Sequence, residues 1–279
     1  GTLASSASAG GPYAVVIMAD DGHGGAVTQT FTWVVNNPAP VALDDNYGLD
    51  EDAAATVLGN VITANDSDPD GDALTAVVQT NVVGSNGGLF SLATDGSVTF
   101  DPNGDFEDLA VGETRITSLV YVLTDADGAT DAATVAVTVT GVNDAPQTVG
   151  AITQQTDDDS LPVTLDVSGF FTDPDSTDVL TYSDGGTLPP GLSIDPNTGI
   201  ISGTLASSAS AGGPYAVVIT AADGHGGAVT QTFTWVINNP APVALDDNYG
   251  LDEDAAATVL GNAATDNDSD PDGDALTAV

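Results

Sequence analysis

Apolar and polar residues alternate one by one along much of this chain. Residues 133–140 read A-T-V-A-V-T-V-T, which sets Val135, Val137 and Val139 on one side and smaller or polar residues on the other. A period of two is the signature of a half-buried β-strand. Residues 115–124 behave in the same way, and residues 230–237 place Phe233, Trp235 and Ile237 on one face. Between such runs lie Asp125-Ala126-Asp127-Gly128 and Asp223-Gly224-His225-Gly226-Gly227, which read as hairpin turns. Turn signals recur about every 8–12 residues, the spacing of a β-sandwich. No stretch sustains apolar residues at the helical period, so the fold class expected is all-β.

The second pattern is longer. Residues 1–77 recur as residues 203–279, an offset of 202, with differences only at Met18/Thr220, Asp20/Ala222, Val35/Ile237, Val61/Ala263, Ile62/Ala264 and Ala64/Asp266. That offset is too long for one solenoid unit and suits two sandwiches of about 100 residues each. Three Asn-rich segments containing proline punctuate the chain: Asn36-Asn37-Pro38-Ala39-Pro40, Asn143-Asp144-Ala145-Pro146 and Asn238-Asn239-Pro240-Ala241-Pro242. Proline cannot continue a sheet ladder, so each ends a strand and opens a stiff link. Residues 1–37 thus read as the last part of a type A domain and 38–144 as a complete type B domain. Residues 145–239 read as a complete type A domain and 240–279 as the opening of a second type B. The expected architecture is a linear array of tandem sandwiches, of which this chain is a window.

Charge changes the picture. The chain carries 41 acidic residues against one basic residue, Arg115, for a formal net charge of −40. A folded chain so charged repels itself unless cations intervene. Nucleic acid and anionic membrane surfaces are excluded as electrostatic partners, and no apolar run is long enough to insert in a membrane. Nearly all the acid is Asp, with Glu only at 51, 107, 113 and 253. Asp is a short-armed oxygen ligand at home in turns, which suits Ca²⁺ held by loops. There is no Cys, so neither disulfides nor a thiolate zinc site is available.

The densest cluster is Asp66-Ser67-Asp68-Pro69-Asp70-Gly71-Asp72, carboxylates at alternate positions before a glycine. An EF-hand loop begins this way, but its twelfth position would be Val77 rather than Glu. Any calcium here must borrow ligands from elsewhere in the fold. Candidate sources are Glu51, the turn residues Asp125 and Asp127, and Asn143 with Asp144. Asp173, Asp175 and Asp178 form a looser cluster in the type A domain, where Asp223 opens a turn. The repeat supplies the equivalents Glu253, Asp268, Asp270, Asp272 and Asp274. Asp44, Asp45 and Asn46, with Asp246, Asp247 and Asn248, follow the proline segments and are weaker candidates. The run Asp157-Asp158-Asp159 is expected to be a solvated charge run, and His23 and His225 exposed turn residues.

Several of these motifs are familiar together. Leu49-Asp50-Glu51-Asp52, the 65–72 acidic loop, Val120-Tyr121-Val122-Leu123-Thr124-Asp125-Ala126-Asp127-Gly128 and Gly141-Val142-Asn143-Asp144-Ala145-Pro146 make the type B domain resemble the cadherin-like repeats of large bacterial secreted adhesins. Phe171-Thr172-Asp173-Pro174-Asp175, Leu188-Pro189-Pro190-Gly191-Leu192-Ser193-Ile194, Thr198-Gly199-Ile200-Ile201-Ser202-Gly203-Thr204 and Ala222-Asp223-Gly224 make type A resemble the dystroglycan-type cadherin-like, or putative Ig, repeat. Together the motifs cover nearly the whole chain. The resemblance implies calcium where the acidic groups converge near domain ends, export from the cell, and service as an extender in a surface fibre.

Catalysis is not expected. The chain has no Cys and no Lys, one His in each type A stretch, and no nucleophile elbow around Ser207-Ser208-Ala209-Ser210. The function read from the sequence is a secreted, extracellular or cell-surface extender stiffened by several Ca²⁺ ions. Its partners are calcium and neighbouring repeats of the same chain. The alternative is a self-assembling filament, sheath or biofilm matrix in which identical chains pair laterally. Trp33, Trp235 and Tyr215 are the aromatics a binding module would use, and their strand context points to core packing instead.

Overall fold

The computed structural model describes residues 1–277, and Val279 of the second type B opening lies outside them. Strands dominate, and the chain divides into two compact units, Gly1–Val142 and a second starting at Asn143. Among the described residues no helix is long and apolar enough to cross a membrane.

The first unit opens with a hairpin of β1 (Tyr13–Asp20) and β2 (Ala26–Trp33). A sandwich follows, built from β3 (Asp45–Asp50), β4 (Thr56–Asn60), β5 (Thr75–Ala76), β6 (Gln79–Val83), β7 (Leu89–Leu92), β8 (Ser97–Asp101), β9 (Thr114–Thr124) and β10 (Thr130–Thr140). One sheet runs β3-β10-β9-β5 and the other β4-β8-β7-β6. The β9–β10 hairpin pairs Thr124 with Thr130 around the Asp125 turn, and β3 lies parallel to β10. The alternation in β10 does what period two demands: Ala133, Val135, Val137 and Val139 are buried and their neighbours are not.

Those side chains meet Phe90, Phe100, Phe106, Tyr121 and Leu123 in one core. Phe90 and Phe100 are tilted rings 4.7 Å apart, a favoured aromatic geometry. Gly88 has φ of +71°, and a Cβ there would enter the Phe100 ring, so the position needs glycine twice over. A short helix of this sandwich, α1 (Val61–Asn65), is capped by Asn60, whose side chain accepts from the Thr63 amide at 3.0 Å.

The second unit contains β11 (Gln147–Thr148), β12 (Gln155–Asp158), β13 (Pro162–Asp166), β14 (Phe171–Thr172), β15 (Thr181–Ser183), β16 (Leu192–Ile194), β17 (Ile200–Thr204), β18 (Tyr215–Ala222) and β19 (Ala228–Asn238). Its sheets run β12-β19-β18-β15, β13-β17-β16 and β11-β14. Trp235 is fully buried with Ile201, Leu205, Val217 and Ile219, and its Nε1 donates to Asp157 at 2.8 Å. The serine-rich stretch 207–210 runs into a 3-10 turn over Ala209–Gly212.

Trp33 occupies the repeat position of Trp235 yet is 55% exposed. The strands that cover Trp235, those of the β13-β17-β16 sheet, have no counterpart among residues 1–37. Core packing therefore holds for Trp235, and among residues 1–37 no second sheet faces Trp33.

Candidate metal centres

In the first unit, the 66–72 loop folds around one carboxylate. Asp68 Oδ1 accepts the amides of Asp70, Gly71 and Asp72 at 3.0, 3.1 and 3.2 Å. This is an Asx turn, which short Asp side chains favour. It leaves Asp68 Oδ2 buried without a donor, and the same holds for Asp70 Oδ1 and Asp72 Oδ2. Opposite lies the β9–β10 turn. Asp125 Oδ1 accepts from Asp127 N at 3.0 Å and Ala129 N at 2.9 Å. Asp125 Oδ2 accepts from Asn37 Nδ2 at 2.7 Å, which leaves Asn37 Oδ1 buried without a donor. Asp127 takes a hydrogen bond from the Ser8 hydroxyl.

The electrostatics record the crowding. Asp70 is pushed up to about 6, first because it shares a proton with Asp68 and then by desolvation and by Asp72. Asp72 is raised by desolvation and by the charges of Asp127, Asp68 and Asp125. The single basic residue does not help, since Arg115 forms a bidentate pair with Asp108 at 3.0 and 2.7 Å.

Two sequence candidates in this unit sit differently. Asp66 turns away from the loop: its Oδ1 accepts from Leu43 N at 2.8 Å, and its Oδ2 and Asp45 Oδ2 each lie 3.1 Å from the Tyr121 hydroxyl. Both carboxyls are raised, first by burial. Glu51, only 2% exposed, stands just past β3 and accepts from Val142 N at 2.7 Å.

The second unit repeats the scheme with different residues. Asp173, Asp175 and Asp178 each bring a carboxylate oxygen within 4.8 Å of the others. Asp175 is 1% exposed, and its Oδ1 and Asp173 Oδ2 are buried without donors. Asp175 Oδ2 accepts from Asp144 N at 3.1 Å. Asp223 Oδ1 takes the amides of His225, Gly226 and Gly227 at 2.7, 3.0 and 3.0 Å. Asn143 Nδ2 donates to Asp223 Oδ2 at 3.2 Å, again leaving its own Oδ1 buried and unpaired. Burial and neighbouring carboxylates raise Asp173 and Asp175. Burial also pushes Asp223 up, but its donors, the His225 amide foremost, outweigh it and leave the group lowered. Asp178 holds His225 Nδ1 at 2.9 Å and raises that imidazole.

A third grouping lies in the same unit. Asp159 is 2% exposed, not solvated as its charge run suggested; its Oδ1 accepts from Ser210 N at 2.9 Å and its Oδ2 has no donor. Ser160 Oγ donates to the Asp272 carbonyl at 3.1 Å, and both Asp272 carboxylate oxygens are buried without donors. Asp270 Oδ1 accepts the amides of Asp272 and Asp274 at 3.2 and 3.3 Å, as Asp68 does for its own loop. Asp268 copies Asp66, accepting from Leu245 N at 2.8 Å. Glu253, the repeat of buried Glu51, is exposed.

Asn37 and Asp159 are the participants that the sequence did not single out. For Asn37 a signal exists: Asn37-Pro38-Ala39-Pro40 lines up with Asn143-Asp144-Ala145-Pro146, so Asn37 holds the place of Asn143. For Asp159 the flanking acids hid it.

All these donors are hard oxygens, from carboxylates and amides, with lone pairs that no hydrogen atom meets. An unmet buried acceptor costs about 1–3 kcal/mol. Ca²⁺ takes six to eight such oxygens and tolerates irregular geometry, so the donor set fits it.

Comparison with known proteins bears on the same segments. Residues 37–141 match the bacterial cadherin-like domain family, and residues 145–238 match the putative Ig domain family. No curated protein matches the chain. Among solved structures, mouse cadherin-23 repeats EC22–24 are 18% identical at a TM-score of 0.52, over 73% of this chain and 69% of that one. Human CDH23 repeats EC21–23 are 16% identical at a TM-score of 0.53, over 80% of this chain and 78% of that one. At such identities the likeness is one of fold.

Proposed function

We propose that this chain, in which residues 37–141 match the bacterial cadherin-like domain family and residues 145–238 the putative Ig domain family, is an extracellular extender whose loops are stiffened by Ca²⁺. The observation that carries this reading is the set of buried oxygens without donors at Asn37, Asp68, Asp70, Asp72, Asn143, Asp173 and Asp175. They cluster at loops, carry excess negative charge and lack any nearby Lys or Arg.

In the first unit Asp68, Asp70, Asp72 and Asp125 would supply carboxylates and Asn37 an amide oxygen, with Asp127 as a further donor beside Asp72. In the second, Asp173, Asp175, Asp178 and Asp223 would act with Asn143 and Asp144. Asp159, Asp270, Asp272 and Asp274 would form the third. Asn37 belongs to the proline-containing segment, and its bond to Asp125 already ties that segment to the following sandwich. An ion at that loop would tighten the tie. Outside the cell, millimolar calcium adds binding free energy to folding. Where calcium is scarce, carboxylate repulsion opposes the fold, which suits export of an unstructured chain.

The test is a thermal melt by circular dichroism in millimolar calcium and in metal-free buffer, followed by calorimetric titration to count ions. A calcium-dependent rise in the midpoint supports the reading. Identical melts with no titration heat would sink it and leave the sandwiches standing.

A further inference from the structure

The type B sandwich has a lateral side built from two stretches that carry no acidic residue of their own. Residues 73–94 carry no ionisable group at all, and the one charged residue of β9 is Arg115. The two stretches lie together. Val77 N donates to Val122 O at 3.0 Å, and Gln79 Nε2 to Val120 O at 3.0 Å. Ser85 N donates to Ser118 O at 3.0 Å, and Asn86 Nδ2 to Ile116 O at 2.8 Å. This lacing brings Val77, Val78, Val82, Val83, Ile116 and Val120 to one flank, and all six are exposed, from 37% at Val82 to 65% at Val83. Residues 196–222 are equally free of acid, yet their branched side chains Ile201, Val217 and Ile219 are buried. So lack of charge by itself does not mark the flank; lack of charge joined to exposed aliphatic surface does. Strand β6 also ends its sheet, paired on one side only, with β7.

We propose that this flank is a contact between two copies of the chain, type B domain to type B domain through the same patch. Exposed aliphatic clusters mark interaction surfaces. The choice of occupant follows from charge. Two chains of net charge −40 repel wherever carboxylates face each other. On this flank the copies approach through uncharged surface, and each supplies the apolar area that the other needs. A pairing of one patch with itself is the isologous arrangement of a two-fold dimer. Six side chains cover well under the roughly 800 Å² per partner of a standard stable complex, so one contact is weak. The type B domain returns with the repeat, and a longer array would multiply the contact by avidity. This gives lateral assembly a surface, and it stands on the fold of the domain rather than on the metal.

The experiment is sedimentation equilibrium of the 279-residue chain over a hundredfold concentration range. Calcium is kept present, and salt is held near 1 M, where the Debye length is about 3 Å. The weight-average mass should climb towards twice that of the monomer. Val83→Asp and Val120→Asp should each weaken dimerisation at least tenfold, and Val120→Thr should weaken it less. Val259→Asp, an exposed site elsewhere, should leave it unchanged. Melts of every variant in calcium separate loss of contact from loss of fold. A wild-type chain that stays monomeric overturns the proposal. So do patch variants that associate like wild type, or a Val259→Asp chain that dissociates with them.

Discussion

Asn37 donates its side-chain amide to Asp125 across 2.7 Å and 88 residues of sequence. The same bond recurs from Asn143 to Asp223 at 3.2 Å. In both, one oxygen of the Asp is occupied by the amides of a hairpin turn and the other by the Asn. The Asn carbonyl oxygen is left buried without a donor. Two domains of different sequence thus arrive at one arrangement.

That arrangement separates two roles of Asp125. Asp125→Asn keeps an oxygen for the turn amides and removes a charge. It should lower calcium affinity about tenfold, near 1.4 kcal/mol, while stability in metal-free buffer holds or rises. Asp125→Ala removes the turn bonds as well and should cost about 1–3 kcal/mol without metal. Calcium titration paired with urea unfolding of each variant distinguishes them.

Calcium itself should shift the melt. An ion at a hundred times its dissociation constant adds about 2.7 kcal/mol. For a domain near 100 residues, each kcal/mol is worth about 4–8 °C, so the midpoint should rise by roughly 10–20 °C. Scanning calorimetry across a calcium series checks both the size and the logarithmic dependence on concentration.

The pH dependence should change sign with the metal. Without calcium, Asp70 titrates in the folded state near 6 against an ordinary 3.8. A raised folded value means the folded state holds the proton longer, so this group favours folding at low pH. That contribution fades as pH rises through about 6. Metal-free melts should therefore have a higher midpoint at pH 5 than at pH 7.5. With calcium the carboxylates must be ionised, so acidification should instead erode the gain from the metal. Equal metal-free midpoints at the two pH values would refute the assignment.

Tyr121→Phe leaves Asp45 and Asp66 without the hydroxyl that stands 3.1 Å from each. The expected cost is about 1–3 kcal/mol at neutral pH. It should shrink in acid, because burial already raises both carboxyls. Urea unfolding at two pH values measures the difference.

Trp235→Ala should cost about 3–5 kcal/mol, since Trp235 is fully buried. The same change at Trp33, which is 55% exposed, should cost about 0.5 kcal/mol or less. Urea melts monitored by far-ultraviolet dichroism compare the two.

This pair also shows where sequence reading stops. Strands such as β10 and the Asp125 and Asp223 turns were legible, because alternation and turn chemistry are local. The all-β class, the tandem sandwiches and the location of the acidic loops followed from the same local signals. Burial is not local. Trp33 and Trp235 share a strand sequence and differ in what lies across from them. Asp66 belongs by spacing to the loop of Asp68 and Asp70, yet a tyrosine 55 residues away turns it aside. Asp159 sits in a run of three acids, and only the 3-10 turn that covers it makes it a buried acceptor. Asn37 reads as linker until the fold sets Asp125 beside it.

The Asp68 loop has a consequence for speed. Three backbone amides hold Asp68 Oδ1 within 3.2 Å, so hydrogen bonds of the chain itself set the shape of the loop. Little chain ordering remains to be done on capture. If the loop binds calcium as proposed, the rate is then set by ion arrival and loss of hydration water, not by a folding step. A domain already folded would follow a rise in external calcium almost as fast as the concentration itself changes.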